Sequence, residues 1–107
     1  MTIAVDFDGT ICENMFPDCG PPNMRVINKL IQTRKEGNKL ILWTCRCDEY
    51  LQDAIDYCKA YGLEFDFVNT NTDRCKAAFG GNDTRKVVAD YYLDDRALPV
   101  ITFLNLF

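Results

Sequence analysis

Two carboxylates stand at the end of the first apolar run of the chain, Ile3-Ala4-Val5-Asp6-Phe7-Asp8-Gly9-Thr10. Ile3 to Val5 is short and rich in β-branched residues, and a glycine turn follows. This is the pattern of a buried parallel strand feeding a tight turn. Alternation along the strand sends Asp6 and Asp8 to one side and Phe7 to the other. Carboxylates at the mouth of a buried strand are costly unless a cation or hydrogen bonds satisfy them. Gly9 lets the backbone turn with positive φ and approach a ligand closely, and Thr10 adds a hydroxyl to the same mouth. As an ordinary turn, an Asp-x-Asp-Gly-Thr string arises about once in 10⁵ positions.

The 107 residues suffice for one domain, 1–107, with a single modest core. Hydrophobic residues make up 48% and charged residues 26%, a globular balance, and the apolar runs are too short to span a membrane. The N-terminus enters a strand without a basic or apolar leader, so a cytoplasmic location is expected. A net charge of −4 argues against broad nucleic-acid binding. Six cysteines are present, but no Cys-x-x-Cys pair and no histidine accompany them. Reduced, structural thiols are expected rather than a zinc site.

The segment from Cys12 to Pro22 carries Pro17, Gly20, Pro21 and Pro22, which is loop chemistry and reads as a flap beside the first strand. Asn23 stands where a helix cap belongs, and Met24, Ile27, Leu30 and Ile31 repeat at helical spacing up to Gly37. Lys39 to Trp43 is a second buried strand ending at Thr44. Asp48 is a cap for the next helix, whose inner face is Leu51, Ala54, Ile55 and Cys58 and which Gly62 stops. Phe65 to Val68 reads as a third strand, Asp73 to Phe79 as a helical turn or two, and Thr84 to Ala89 as a short helix carrying Lys86. Tyr91-Tyr92-Leu93 is a fourth strand running into Asp94-Asp95. The order is that of an α/β doubly wound, mainly parallel Rossmann-like sheet of four to five strands.

Val100 to Phe107 is apolar and could be a further strand. Only four residues separate it from Asp95, too few for a parallel crossover. It should turn back antiparallel, pack elsewhere, or pair with another subunit, which makes it a candidate homodimer surface.

Asp6/Asp8, Thr44, Lys86 and Asp94/Asp95 thus fall at or near carboxyl ends of strands, the edge where open α/β sheets bind ligands. In this order the motifs resemble those of the haloacid-dehalogenase superfamily of phosphatases and phosphotransferases, and the resemblance covers nearly the whole chain. The matching pieces are Asp6-Phe7-Asp8-Gly9-Thr10, the strand Leu40-Ile41-Leu42-Trp43-Thr44, Lys86 (with Lys76 the weaker candidate), and Leu93-Asp94-Asp95. The resemblance implies a first strand in the middle of the sheet, with the second and fourth strands on either side. It implies that Asp6 is a nucleophile forming an aspartyl-phosphate and Asp8 a general acid and base. Thr44 and Lys86 would hold the phosphate. A Mg²⁺ cofactor would lie between Asp6, the backbone carbonyl of Asp8, Asp94 and Asp95, a set of hard oxygens suited to that ion. Gly9 and Thr10 would flank the bound phosphate. Family members often carry a cap domain; Cys12 to Pro22 and Asn69 to Asp83 are too short for one, so a capless member with an open site is implied.

Arg46, Arg74, Arg85 and Arg96 lie near the same rim and could attract anions. Arg46 and Arg96, adjacent to motif residues, are the candidates for substrate contacts. The substrate would be a phosphorylated small molecule or an exposed phosphate on a larger one, with no membrane or nucleic-acid partner indicated. A non-catalytic phosphate-binding module on the same fold would be expected to lose Asp6 or Asp8, and both are retained. A response-regulator receiver also uses aspartates, Thr, Lys and Mg²⁺, but its acidic pair follows the first strand and its phosphorylated Asp the third, whereas the third strand here ends in Asn69.

Overall fold

The computed structural model describes residues 1–106. In chain order it forms β1 (Thr2–Val5), β2 (Cys12–Met15), β3 (Asp18–Pro22), α1 (Met24–Lys35), β4 (Lys39–Leu42) and α2 (Asp48–Ala60). β5 (Phe67–Val68), α3 (Asp73–Ala78), β6 (Tyr91–Leu93) and α4 (Val100–Leu106) complete it. This is an α/β protein whose main sheet is parallel and ordered β5-β4-β1-β6, with β2 and β3 forming a separate antiparallel pair. The expected central position of β1 is observed. Among the described residues no helix is long and apolar enough to cross a membrane.

Strand alternation divides the core between the two faces of the sheet. Val5, Leu40 and Leu42 are buried on one face with Ile27 and Leu30 of α1 and Ala54 and Cys58 of α2. Asn23 accepts from the Val26 N–H at 3.3 Å and starts α1 as its spacing predicts. Phe7 continues this face beyond β1, with its ring edge-on to Tyr57 at 5.6 Å. Ala4 and Ile41 face the other way, where Val87 covers them and Trp43, Phe67 and Ala89 pack at the margin.

Several segments differ from the sequence expectation. Cys12 to Pro22 is a β-hairpin rather than an irregular loop. Its prolines are tolerated because a two-stranded ribbon leaves one edge of each strand unpaired. The β-carbon that any other residue would bring to position 20 would collide with the Glu13 backbone across the ribbon, so glycine is required there. The hairpin is tied to α2 by the Tyr57 hydroxyl, which donates to the Gly20 carbonyl at 2.7 Å.

Asp48 is the first residue of α2 rather than its cap; Cys47 holds the cap position without a side-chain hydrogen bond. The third strand is confined to Phe67–Val68. Thr84 to Ala89 is not helical, because side chains take the bonds a helix would need. Buried Asn71 accepts from the Val88 N–H at 2.7 Å and donates to the Thr84 carbonyl at 3.1 Å. The Tyr92 hydroxyl donates to the Val87 carbonyl. Val100–Leu106 is helix α4, not a strand, and as a helix it satisfies its backbone internally. Phe107, the last residue of that expected segment, lies outside the described residues.

Candidate active site

The parallel register aligns Val5 with Leu42 on one side and with Leu93 on the other. The residues that follow these three therefore leave the sheet at one edge. A cavity of about 410 Å³ opens there, lined by Asp6, Asp8, Thr44, Asp94, Asp95 and Arg96. Asn14 and Phe16 of the hairpin form its further wall, which is where a flap was expected.

Asp6, Asp94 and Asp95 each offer a carboxylate oxygen, and these oxygens lie within 4.8 Å of one another. Crowding of this kind disfavours full ionisation. The Asp6 carboxyl is pushed up to about 7, first by burial, then by its hydrogen bond with Asp95 and the charge of Asp94. The Phe7 backbone N–H works in the opposite direction. Gly9 turns with φ +87°, and a side chain there would run into the Asp95 carboxylate. The turn after β1 and the acidic pair after β6 are thus packed against each other, which only glycine permits.

Asp8 belongs to a different arrangement. Its two oxygens accept from Arg46 Nε and Nη2, both at 2.8 Å. Thr44 lines the same cavity. Its backbone N–H donates to Asn69 Oδ1 at 2.8 Å, and its hydroxyl oxygen accepts from the Arg46 N–H at 3.2 Å. The Thr44 O–H is thereby left to donate toward the cavity. Asn69, in the left-handed region at φ +53°, is a residue type that tolerates that conformation.

The structure brings together Asp6, Asp8, Thr44, Arg46, Asp94, Asp95 and Arg96 and keeps other expected residues apart. Lys86 is exposed and does not line the cavity. Thr10 is buried, and its hydroxyl has no hydrogen-bond partner among the described residues. Gly9 and Thr10 line a neighbouring hollow with Cys12 and Asn23. Arg74 and Arg85 are exposed and outside the cavity lining. Arg96 lines the cavity; its backbone N–H donates to Asp94 Oδ1 at 2.9 Å. Arg46 does line the cavity, but it is 3% exposed and its donors are engaged within the chain, so it does not offer the free substrate contact expected of it.

Sequence reasoning missed Asn14, Phe16 and Cys45 in the lining and Asn69 behind Thr44. Asn14 and Phe16 carried a signal in lying within the segment already read as a flap, and Asn69 in standing at the end of the third strand; Cys45 carried none.

No family model and no curated protein matches the chain. Among solved structures it is similar to the conserved protein coded by a locus of Bacteroides thetaiotaomicron. The two are 38% identical with a TM-score of 0.80, over 98% of this chain and 88% of that one.

Proposed function

This chain belongs to the same family as the Bacteroides thetaiotaomicron protein, and from its own residues we propose that it is a Mg²⁺-dependent phosphomonoester phosphatase with a doubly wound core of the haloacid-dehalogenase type and no cap domain. The observation that carries the reading is the meeting of Asp6 with Asp94 and Asp95 in one cavity beside Asp8 and Thr44.

The acidic trio suits the ion. Octahedral Mg²⁺ with oxygens at 2.0–2.1 Å needs ligand atoms about 3–4 Å apart. Carboxylate oxygens within 4.8 Å of one another reach that spacing with a small contraction. The raised proton affinity of Asp6 between the other two carboxylates also marks a place where positive charge is missing. Asp6, Asp94 and Asp95 would hold the ion with the backbone carbonyl of Asp8, and it would supply the charge screening that lets a carboxylate approach a phosphate dianion.

In the first step an Asp6 oxygen attacks phosphorus while the ester oxygen leaves, and that oxygen takes its proton from Asp8, carried on the lone pair that the Arg46 fork leaves free. In the second, Asp8 takes a proton from water as the water oxygen attacks phosphorus. The Asp6–phosphate bond breaks, inorganic phosphate departs, and Asp8 is again protonated. The Thr44 O–H donates to a phosphate oxygen.

The test is hydrolysis of p-nitrophenyl phosphate with Mg²⁺ or with EDTA, comparing the native chain with Asp6→Asn and Asp8→Asn. Turnover that needs the metal and both aspartates is expected. If the native chain turns over no phosphoester and also fails to bind beryllofluoride in the presence of Mg²⁺, the reading gives way to a non-catalytic phosphate-binding module.

A further inference from the structure

Arg46 places its five N–H groups on five acceptors. Nε and Nη2 take the two oxygens of Asp8, Nη2 also donates to the Asp18 carbonyl at 2.9 Å, and Nη1 donates to the carbonyls of Pro17 at 3.2 Å and Tyr50 at 3.1 Å. The guanidinium lies between two rings, 4.9 Å from the centre of Phe7 and 5.1 Å from that of Phe16. Phe7 belongs to the core, whereas Phe16 is an exposed residue of the hairpin turn. One buried cation therefore connects the core, the tip of the hairpin, the start of α2 and a single cavity carboxylate.

We infer that Arg46 is a positioning residue: it joins the Asp8 carboxylate and the hairpin turn into one unit, so that Asp8 is aimed for proton transfer only while the hairpin is closed over the cavity. The inference deepens the phosphatase reading and rests on it for the proton-transfer role of Asp8. The physical ground is geometric. Strand alternation leaves the Asp8 carboxylate on the cavity side but does not set its plane. A bidentate guanidinium does, because both oxygens must lie in its fork. The carbonyls of Pro17 and Asp18 fill the remaining donors on the hairpin side, so opening the hairpin would leave N–H groups of a buried cation without partners. That loss is costly, and the closed hairpin and the fixed carboxylate stand or fall together.

The consequence separates good leaving groups from poor ones. p-Nitrophenolate leaves without a proton, whereas an alkoxide needs one from Asp8. Arg46→Met and Arg46→Lys are therefore expected to lose roughly 10- to 100-fold more kcat/KM, which reports the first step alone, on an alkyl phosphate such as glycerol 2-phosphate than on p-nitrophenyl phosphate. Lysine keeps the charge but not the fork, so it does not rescue the difference. Asp8→Asn keeps the size of the side chain but breaks the charge-assisted pair. Hydrogen exchange of the amides of residues 12–22 is expected to speed up roughly 10-fold or more in that variant and in Arg46→Lys. Equal losses of kcat/KM on the two substrates would overturn the inference, and so would hairpin exchange unchanged in Asp8→Asn. Were the native chain to hydrolyse neither substrate, the phosphatase reading would fall, while the exchange measurement would still decide whether Asp8, Arg46 and the hairpin form one unit.

Discussion

Asp6 holds a proton near neutrality because it is half-buried, shares a hydrogen bond with Asp95 and faces Asp94. An isolated Asp titrates at 3.8, and this one at about 7. With the folded value raised, its contribution to stability is fully present below 3.8 and is lost as pH rises through about 7. A divalent cation competes with that proton and removes the penalty of ionisation. The Mg²⁺-induced rise in Tm should therefore be larger at pH 8 than at pH 6, and Asp6→Asn should abolish the difference. Thermal scans with Mg²⁺ and with EDTA at the two pH values check this, and an equal rise at both would contradict it. The aspartates and Thr44 were legible in the sequence because each follows its strand directly. The engagement of Arg46 was not, because its partners come from Asp8, from the hairpin and from the start of α2.

At the scale of elements, strands and helices with strong local signals formed where the sequence places them, and those without were settled by single side chains. β1, β4 and α1 belong to the first group: their apolar periodicity and the positive φ of Gly37 act within a few residues. Thr84 to Ala89 belongs to the second, since Asn71 and Tyr92 occupy its backbone groups. Asp66 plays a comparable part at the opposite end of the sheet. It accepts from the Leu40 N–H at 2.8 Å and pairs with Arg34 at 3.2 Å, thereby joining β4, α1 and the approach to β5. Burial raises its carboxyl, but the Leu40 N–H and Arg34 outweigh it, and the net effect is to hold Asp66 below the usual value. Its stabilisation is thus present above pH 3.8 and lost as pH falls through the lower folded value. Asp66→Ala should cost about 1–3 kcal/mol at pH 7. Urea unfolding should show that difference shrinking as pH falls below 4, and a constant difference would refute the linkage.

For the whole molecule, the order β5-β4-β1-β6 brings together residues far apart in sequence. With β1 between β4 and β6, the ends that carry Asp6, Thr44 and Asp94 become neighbours. Helix α4 stands apart from this arrangement: it has no buried residue, and Val100, Ile101 and Leu104 are each at least 69% exposed. Replacing Ile101 and Leu104 by Asn should shift Tm by no more than about 2 °C, as surface changes do. If α4 serves as the homodimer surface expected for this segment, the same variant should sediment as a monomer where the native chain does not. A large fall in Tm would show instead that α4 contributes to the fold.

The sequence by itself determined the parallel β1 and β4, the carboxylates that follow β1 and β6, and the glycine turn at Gly9. Each depends on neighbours a few positions away, through side-chain alternation, β-branching and backbone freedom. Only the tertiary structure decided that Asp8 would face Arg46 rather than Asp6, 38 residues along the chain. It also decided that the proline-rich stretch would pair with itself, that Asn71 would dissolve the expected helix at Thr84, and that α4 would bury none of its residues. These outcomes depend on which side chains reach which polar groups once the sheet has assembled, and no local pattern carries that information.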